Sequence, residues 1–281
     1  MPPPTDRQEI LKRLRDAIAE GRAIVGAGAG IGLSAKSFEA GGGDLIIIYN
    51  SGRYRMAGRG SLAGLQPYGN ANDIVLEMAN EIVSIVKQVP VLAGVCASDP
   101  FRSLPTLLAD LRGRGIAGVQ NFPTVGLIDA DSVYRQNLEE TGMGYDTEVE
   151  LIKLAHSMDM LTTPYAFNAK EAKVMTEAGA DVIVAHMGLT SSGAIGAKKG
   201  KTLEECVKLV QEIYDAAIAV NKEVIVLCHG GPIAQPQDAK FVLEQTNAHG
   251  FYGASSMERL PVETAIAEVT QKFRAIKTAP R

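Results

Sequence analysis

The chain has 281 residues, of which 46% are hydrophobic, and its 28 basic and 32 acidic residues give a formal net charge of −4. That charge and the scattered positions of Lys and Arg exclude the basic surface that a nucleic-acid partner requires. Apolar runs stay well short of the ~20 residues that a membrane helix needs, and the start of the chain lacks the apolar core of a signal peptide. Three widely spaced cysteines predict neither a disulfide framework nor a zinc site. We therefore expect a cytoplasmic protein that binds neither membrane nor nucleic acid.

Hydrophobic periodicity predicts a leading helix and then a regular alternation of strands and helices. The leading helix covers residues 5–20, with Thr5 as its N-cap and Gly21 just past its end. The strands are short apolar runs, as expected for parallel strands that are buried on both faces. The predicted strands are 23–27, 45–49, 91–95, 118–120, 161–166, 182–185, 224–228 and 250–254. The helices that follow them are 34–40, 74–89, 104–111, 145–157, 169–178, 203–220, 238–245 and 262–276.

Eight strand–helix units without a linker predict an α/β protein with the architecture of a (β/α)8 TIM barrel. We expect one domain over residues 1–281, with 1–21 as the leading helix and 22–281 as the barrel. An open, doubly wound sheet is the alternative. In a barrel the active site lies at the carboxyl ends of the strands, so this topology selects the candidate residues.

Two connections are much longer than an ordinary strand-to-helix loop. The loop after the second strand carries Arg53, Arg55 and Arg59 among glycines, which suits a mobile lid that closes over an anion. The loop within residues 118–146, after the fourth strand, holds several carboxylates together with apolar anchors, which indicate an ordered functional loop. Exposed arginines on an insertion, and solvated acids on a surface loop, are the respective alternatives.

Glycine-rich turns suggest two further kinds of site. The run GAGAGIG does not complete the dinucleotide motif, and the second strand ends in Asn50 where an acidic residue would be needed, so no nucleotide cofactor is expected. After the seventh and eighth strands, HGGP and GASSMER predict a cradle for phosphate at helix starts. Tight turns alone are the alternative for these glycines. The cradle residues are Gly230, Gly231, Gly253, Ala254, Ser255 and Ser256.

The remaining candidates stand at the predicted strand ends or in the long loops. Two of the four histidines end neighbouring strands, where they could act as an acid–base pair, as oxyanion donors or as metal ligands, although a histidine on an apolar strand is often only part of the core. We predict that the catalytic residues are His186, His229, Glu139, Asp99 and Asn121. Besides the cradle, the predicted substrate-binding residues are Gly28, Asn50, Ser51, Arg53 and Tyr165.

Several stretches together carry a family resemblance: GVQNFPTVGLID, LEETGMGYDTEVE, DVIVAHMGLT, HGGPI and GFYGASSMERLP. With them the chain resembles the phosphoenolpyruvate hydrolase-like family, also called TIM-barrel signal transduction proteins, whose members include the C-terminal barrel of Tm-1-like proteins. The resemblance implies the barrel fold. Through a distant similarity to phosphoenolpyruvate mutase and phosphonopyruvate hydrolase, it also implies a hydrolase or lyase that acts on a small phosphorylated or phosphonate 2-oxo acid.

The same resemblance bears on cofactor and partners. The mutase group implies Mg²⁺ held by carboxylates at the ends of the second, third and fourth strands, and here only Asp99 matches in kind. Asp129 and Asp131 have the Asp-x-Asp spacing but follow the wrong strand. The expectation is a homo-oligomer that binds a small anionic substrate, with Asp99 as the candidate ligand of Mg²⁺. A ligand-sensing or regulatory barrel without turnover is the alternative.

Overall fold

The structure is a computed structural model that describes residues 2–278, and it alternates helices with strands along the chain. The helices are α1 (Arg7–Ala19), α2 (Gly32–Ala40), α3 (Asn50–Met56), α4 (Ala71–Val83), α5 (Leu104–Gly113), α6 (Val133–Glu140), α7 (Tyr145–Ser157), α8 (Ala169–Glu177), α9 (Leu203–Val220), α10 (Pro236–Leu243) and α11 (Arg259–Arg274). The strands are β1 (Ile24–Gly28), β2 (Leu45–Ile48), β3 (Val91–Val95), β4 (Gly118–Asn121), β5 (Leu161–Thr162), β6 (Tyr165–Ala166), β7 (Val182–His186), β8 (Ile225–His229) and β9 (Gly250–Gly253). Within residues 2–278, no helix combines the length and the apolar character that a membrane crossing requires.

All nine strands form one curled sheet, in the order β5-β4-β3-β2-β1-β9-β8-β7-β6, and every pairing is parallel. The two outer strands, β5 and β6, are consecutive pieces of one chain segment that is interrupted only at Thr163 and Pro164. Backbone bonds from this link reach both neighbours, because Thr163 N donates to Val119 O at 2.9 Å and Val184 N donates to Pro164 O at 2.9 Å. The α/β class and the parallel sheet predicted from the alternation are thereby confirmed.

The sheet is apolar on both faces, as its continuous hydrophobic runs predict. All four residues of β2 are buried, and so are all five of β3, β7 and β8. The leading helix adds Ile10, Leu11 and Leu14 to the same core. Its N-cap is Asp6, whose side chain accepts from Glu9 N at 2.8 Å, and not the predicted Thr5.

The two long connections are more structured than their composition suggests. After β2 the chain enters α3 at once and then a 3₁₀ helix, Ser61–Leu65, where a mobile lid was expected. Close packing holds α3 in place: a Cβ on Gly30 would lie 2.1 Å from the carbonyl oxygen of Gly52, so the two segments touch through backbone. After β4 come a 3₁₀ helix, Val125–Leu127, and then α6, which gives the ordered loop that its apolar anchors predict.

Candidate functional site

The two strand-end histidines meet at the centre of the structure. His186 and His229 are partners in the β7–β8 register, and their ring centroids are 4.5 Å apart. Both residues are buried, and the ring of Tyr165 lies 4.8 Å from one and 5.1 Å from the other. The pairing of adjacent parallel strands therefore brings together two residues that are 43 positions apart in the sequence (229 − 186).

The hydrogen bonds of the two imidazoles assign them opposite roles. Gly188 N donates to Nδ1 of His186 at 3.0 Å, so neutral His186 carries its proton on Nε2. Nδ1 of His229 lies 2.6 Å from the carbonyl oxygen of Tyr252, which only accepts, so neutral His229 carries its proton on Nδ1. Burial, and then the neighbouring His229, hold the pKa of His186 well below its ordinary value, and burial lowers the pKa of His229 to about 4. At neutral pH, one Nε2 is a hydrogen-bond donor and the other is an acceptor.

A buried guanidinium stands beside the histidines. Arg55 donates to Glu258 through Nε, and Nη1 donates to Ser51 Oγ at 2.9 Å and to Ser61 Oγ at 3.2 Å. Burial would lower the pKa of Arg55, but the attraction of Glu258 outweighs it and raises the pKa above its ordinary value, so the group stays charged. Within residues 2–278, Nη2 has no hydrogen-bond partner. A buried cation with an unused N–H is a binding group for an anion.

These groups surround a small chamber, which we call the inner cavity. Its volume is about 20 Å³, which is room for one water molecule. Tyr49 and Leu127 are also part of its wall, and the guanidinium of Arg55 lies 5.0 Å from the centre of the Tyr49 ring. Four of the predicted substrate-binding and catalytic positions besides the histidines line it: Ser51, Tyr165, Ala254 and Ser255.

A second and much larger space, the outer cavity, lies between the segments that follow β2, β3 and β4. Its volume is about 600 Å³. Leu127 contributes to the lining of both cavities. Polar side chains reach the outer cavity from Asn50, Asn70, Cys96, Ser98, Asp99, Thr124 and Glu148. Its apolar walls include Leu62, Leu65, Pro67, Phe101, Pro123, Leu127, Ile128, Leu138 and Met143.

Glu148 is a buried acid of the outer cavity that sequence reasoning missed. Its carboxyl group accepts from Asn121 Nδ2 at 2.6 Å, from Thr124 Oγ1 at 2.7 Å and from Val125 N at 2.8 Å. Burial raises the pKa of Glu148 to about 8, although these three donors oppose the shift. Glu148 lies three residues after Tyr145 and four before Ile152, which puts it on the buried face of α7. This helical spacing is the sequence signal that could have identified it as a buried acid.

Arg53 and Glu139 are predicted site residues that lie outside both cavities. Arg53 donates to the carboxylate of Glu81 on α4 at 2.9 Å. Residues two apart in a helix point in nearly opposite directions, so Arg53 points outward because Arg55 points inward. Glu139 is half exposed on α6, where it binds the buried Arg135 at 2.7 Å. The carboxylate of Glu139 therefore neutralises the charge of Arg135. Glu139 does not line the cavity that contains the two histidines.

Two other predicted positions support the site through packing and positioning. Asn121 links β4 to β6, because its Oδ1 accepts from Tyr165 N at 2.7 Å while its Nδ2 donates to Glu148. A Cβ on Gly28 would lie 3.0 Å from Glu258 Oε1 and 3.2 Å from the Tyr49 hydroxyl, so glycine leaves room for the buried ion pair.

The expected phosphate cradle has a different geometry from the one predicted. Gly230 and Gly231 have φ of +79° and +59°, and Gly231 N already donates to Gly188 O at 2.8 Å. A helix does not start there, since α10 begins only at Pro236. Gly253, Ala254, Ser255 and Ser256 likewise precede the first residue of α11. The positive φ of both residues, and the 2.4 Å that would separate a Cβ on Gly230 from the carbonyl oxygen of Gly188, are what a tight turn requires. Phosphate binding by the cradle residues stays a prediction.

The donor set around Asp99 does not fit Mg²⁺. Its Oδ2 accepts from the side-chain amides of Asn70 and Asn72, both at 2.9 Å, and its Oδ1 accepts from Phe101 N at 3.0 Å. Mg²⁺ requires oxygen ligands in an octahedral arrangement, whereas this carboxylate faces N–H donors. Across residues 2–278, there is no group of three or more His, Cys, Asp or Glu side chains that could hold a metal ion.

A curled parallel sheet with polar residues at its carboxyl ends is the arrangement of α/β enzymes. The chain belongs to the phosphoenolpyruvate hydrolase-like family, whose model matches residues 9–276. It is 63% identical over 268 residues to the ToMV susceptible protein tm-1(GCR26) of Solanum lycopersicum, a match that covers 95% of this chain and 35% of that protein. The chain thus spans about a third of the length of that relative.

Solved structures show the same fold at low sequence identity. A 2,3-dimethylmalate lyase, a member of the PEP mutase/isocitrate lyase superfamily, matches with a TM-score of 0.60 and 16% identity, over 97% of this chain and 88% of that one. Phosphonopyruvate hydrolase in complex with oxalate and Mg²⁺ matches with a TM-score of 0.57 and 17% identity, over 94% and 87%. At these identities the similarity concerns the fold alone.

Proposed function

We propose that the chain is an enzyme, a hydrolase or lyase that cleaves a C–C or C–P bond of a small 2-oxo acid, at the carbon next to the carbonyl group. One observation carries this proposal: two neutral histidines of opposite hydrogen-bond role stand beside the unused N–H of Arg55 at the strand ends. Phosphonopyruvate and related phosphorylated acids are among the candidate substrates, as the family name suggests. For the fold, we propose an eightfold β/α barrel whose fifth strand is interrupted at Thr163 and Pro164.

The chemistry follows from the three groups. The carboxylate of the acid binds the guanidinium of Arg55, which is charged and already held by Glu258 and two serines. Nε2 of His229 takes a proton from the water that attacks phosphorus or the carbonyl carbon in hydrolysis, or from a hydroxyl group on the second carbon from the carbonyl in a lyase reaction. The bond at the carbon next to the carbonyl then breaks, its electron pair remains on that carbon, and the proton held by His229 is returned to it. The Nε2–H group of His186 donates to the carbonyl oxygen as negative charge develops on it. The two residues therefore act as base and as oxyanion donor without a change of tautomer before the reaction.

Turnover of a panel of acids, with phosphonopyruvate, phosphoenolpyruvate and oxaloacetate among them, tests this proposal. His229→Gln and His186→Gln should each lower kcat by about 10²–10⁴-fold, because proton transfer and oxyanion stabilisation are lost. Binding of oxalate, an unreactive acid, should change much less. His249→Gln is the matched control, since His249 is partly buried outside both cavities and its Nδ1 accepts from Val226 N at 3.0 Å.

Three results would count against the enzyme. Full activity in His229→Gln would remove the base from the mechanism. Equal losses in His249→Gln would indicate that any histidine change disturbs the fold. Binding of oxalate by the parent chain without turnover of any acid would support the ligand-sensing alternative.

A further inference from the structure

The outer cavity is far larger than the proposed reaction needs. The inner cavity holds the histidines in about 20 Å³, whereas the adjoining outer cavity has about 600 Å³, within the usual range for small-molecule sites. We propose that the outer cavity binds an apolar substituent of the substrate. The substrate is then a 2-oxo acid with a branched aliphatic or aromatic side chain and not a compact three-carbon acid. This inference rests on the proposed function and names its substrate class.

Apolar side chains from three separate segments line this space. Leu62 and Leu65 come from the segment after β2, Phe101 follows β3, and Leu138 and Met143 follow β4. Several of them are exposed, Phe101 at 88%, Leu62 at 43% and Met143 at 41%, so the protein itself leaves their apolar surface uncovered. Contact with an apolar group would remove that surface from water, which favours such a ligand over a small anion.

A buried polar atom on the same wall also lacks a partner. Asn50 is 2% exposed, and its Nδ2 donates to Gly64 O at 2.9 Å, but among residues 2–278 nothing donates to its Oδ1. An unpaired buried acceptor is costly unless a ligand or a water molecule donates to it. A hydroxyl group of the substrate, or a water molecule that binds with it, can donate to Asn50 Oδ1 while the apolar end fills the outer cavity.

Leu127 is shared by the two cavities. It lies at the end of the 3₁₀ helix Val125–Leu127 and contributes to both linings. The proposal requires the inner and outer cavities to connect beside Leu127, through a change of its rotamer. The carboxylate then lies at Arg55 and the apolar group lies among the leucines of the outer wall.

Calorimetric titration with pyruvate, 4-methyl-2-oxopentanoate and phenylpyruvate tests the assignment. Phenylpyruvate should bind with a Kd about tenfold or more below that of pyruvate, because it buries a ring that pyruvate lacks. The double variant Leu62→Asn and Met143→Gln makes the exposed wall polar and should reduce this preference to less than about threefold, with the Kd for pyruvate unchanged. Leu33→Asn is the control, since Leu33 is 71% exposed on α2 away from the cavity.

The outcomes separate the two proposals. Equal or tighter binding of pyruvate, with activity that depends on His229, would overturn the assignment of the outer cavity and leave the enzyme intact. A preference for phenylpyruvate that persists in the double variant would place the apolar group elsewhere. If none of the three acids binds and no acid is turned over, the proposed function itself fails.

A different observation concerns the last helix. Only the first turn of α11 is buried, and residues 264–278 are all exposed. Four large apolar side chains of α11, and a fifth just past its end, recur at alternating intervals of four and three residues, which is the spacing of two helices that pack along their length. They are Val262, Ile266, Val269, Phe273 and Ile276, and their exposure ranges from 38% to 70%.

We infer that this apolar stripe pairs with the same stripe of a second copy of the chain, in antiparallel orientation. The charges favour that partner. Glu263 and Glu268 lie in the first half of the stripe, whereas Lys272, Arg274 and Lys277 lie in its second half. Antiparallel pairing places the acidic half of one helix against the basic half of the other, and parallel pairing would place like charges together.

Light scattering on the eluting protein measures the molar mass and tests the pairing. The parent chain should give about twice 29.8 kDa at micromolar concentration, and the double variant Ile266→Glu and Phe273→Glu should give 29.8 kDa. Gln271→Glu adds the same kind of charge on the opposite side of α11 and should stay dimeric. A monomeric parent chain, or a dimer that survives the double variant, would overturn the inference.

Discussion

Replacing Arg55 with methionine is expected to lower the free energy of unfolding by about 3–5 kcal/mol, because it leaves the carboxylate of Glu258 buried without its counter-charge. Arg55 and Glu258 are 3% and 1% exposed, so water cannot take the place of the missing guanidinium. Burial already raises the pKa of Glu258 despite the attraction of Arg55, and the variant removes that attraction. Denaturant unfolding followed by circular dichroism measures the change.

Two control variants make this prediction specific. Arg53→Met, two residues away on the same helix, removes a partly exposed pair with Glu81 and should cost only about 0–1 kcal/mol. The double variant Arg55→Met and Glu258→Gln removes both buried charges and should recover much of the loss. A loss below about 1 kcal/mol for Arg55→Met would show that this ion pair is hydrated in solution.

The free energy of unfolding should be largest near pH 6–6.5. The buried histidines cause its decrease on the acid side of this maximum. The folded pKa values of His186 and His229 lie below the ordinary value of 6.5, so the unfolded chain binds protons first as the pH falls. Each such proton lowers stability by about 1.4 kcal/mol per pH unit below pH 6.5. His249, whose pKa burial also lowers, acts in the same direction, whereas the raised pKa values of Glu148, Glu171 and Glu258 act against the histidines. We expect the histidines to prevail, so that stability falls toward pH 5.

Glu148 causes the decrease of the free energy of unfolding on the alkaline side of the maximum. Its folded pKa of about 8 lies above the ordinary value of 4.5, so its contribution is fully present at low pH and is lost as the pH rises toward 8. Between pH 6.5 and 8 this single proton corresponds to a loss of about 2 kcal/mol. The histidines offset part of this loss just above pH 6.5, where the unfolded chain is still partly protonated, and contribute little above about pH 7.5, where they are neutral in both states.

Unfolding curves at half-unit pH steps test both sides with separate variants. Glu148→Gln should flatten the profile between pH 6.5 and 8, and His229→Gln should reduce the slope between pH 6.5 and 5. A parent chain whose stability is constant from pH 6.5 to 8 would mean that Asn121, Thr124 and Val125 keep Glu148 ionised. Either result also bears on the proposed function. Glu148 lines the outer cavity and the two histidines line the inner cavity, so the pH profile reports the protonation state of both sites.

The sequence by itself determined the order of strands and helices and the positions of the two histidines. Apolar runs of strand length and helical spacing are local properties, so they predict β2, β7 and β8 within a residue or two. Parallel strands that follow each other in the chain tend to be neighbours in the sheet. The polar residues at their ends therefore had to meet, as His186 and His229 do.

Only the tertiary structure decided which charged residues belong to the site. Arg53 and Arg55 look alike in the sequence, and they differ because Gly30 packs against Gly52 and thereby turns one side of α3 toward the sheet. The partner of Arg55, Glu258, is 203 positions away, and no local pattern links the two. Burial of a carboxyl group depends on every segment packed around it. For that reason the acids of the long loop remained at the surface while Glu148, inside an ordinary helical pattern, became the buried one.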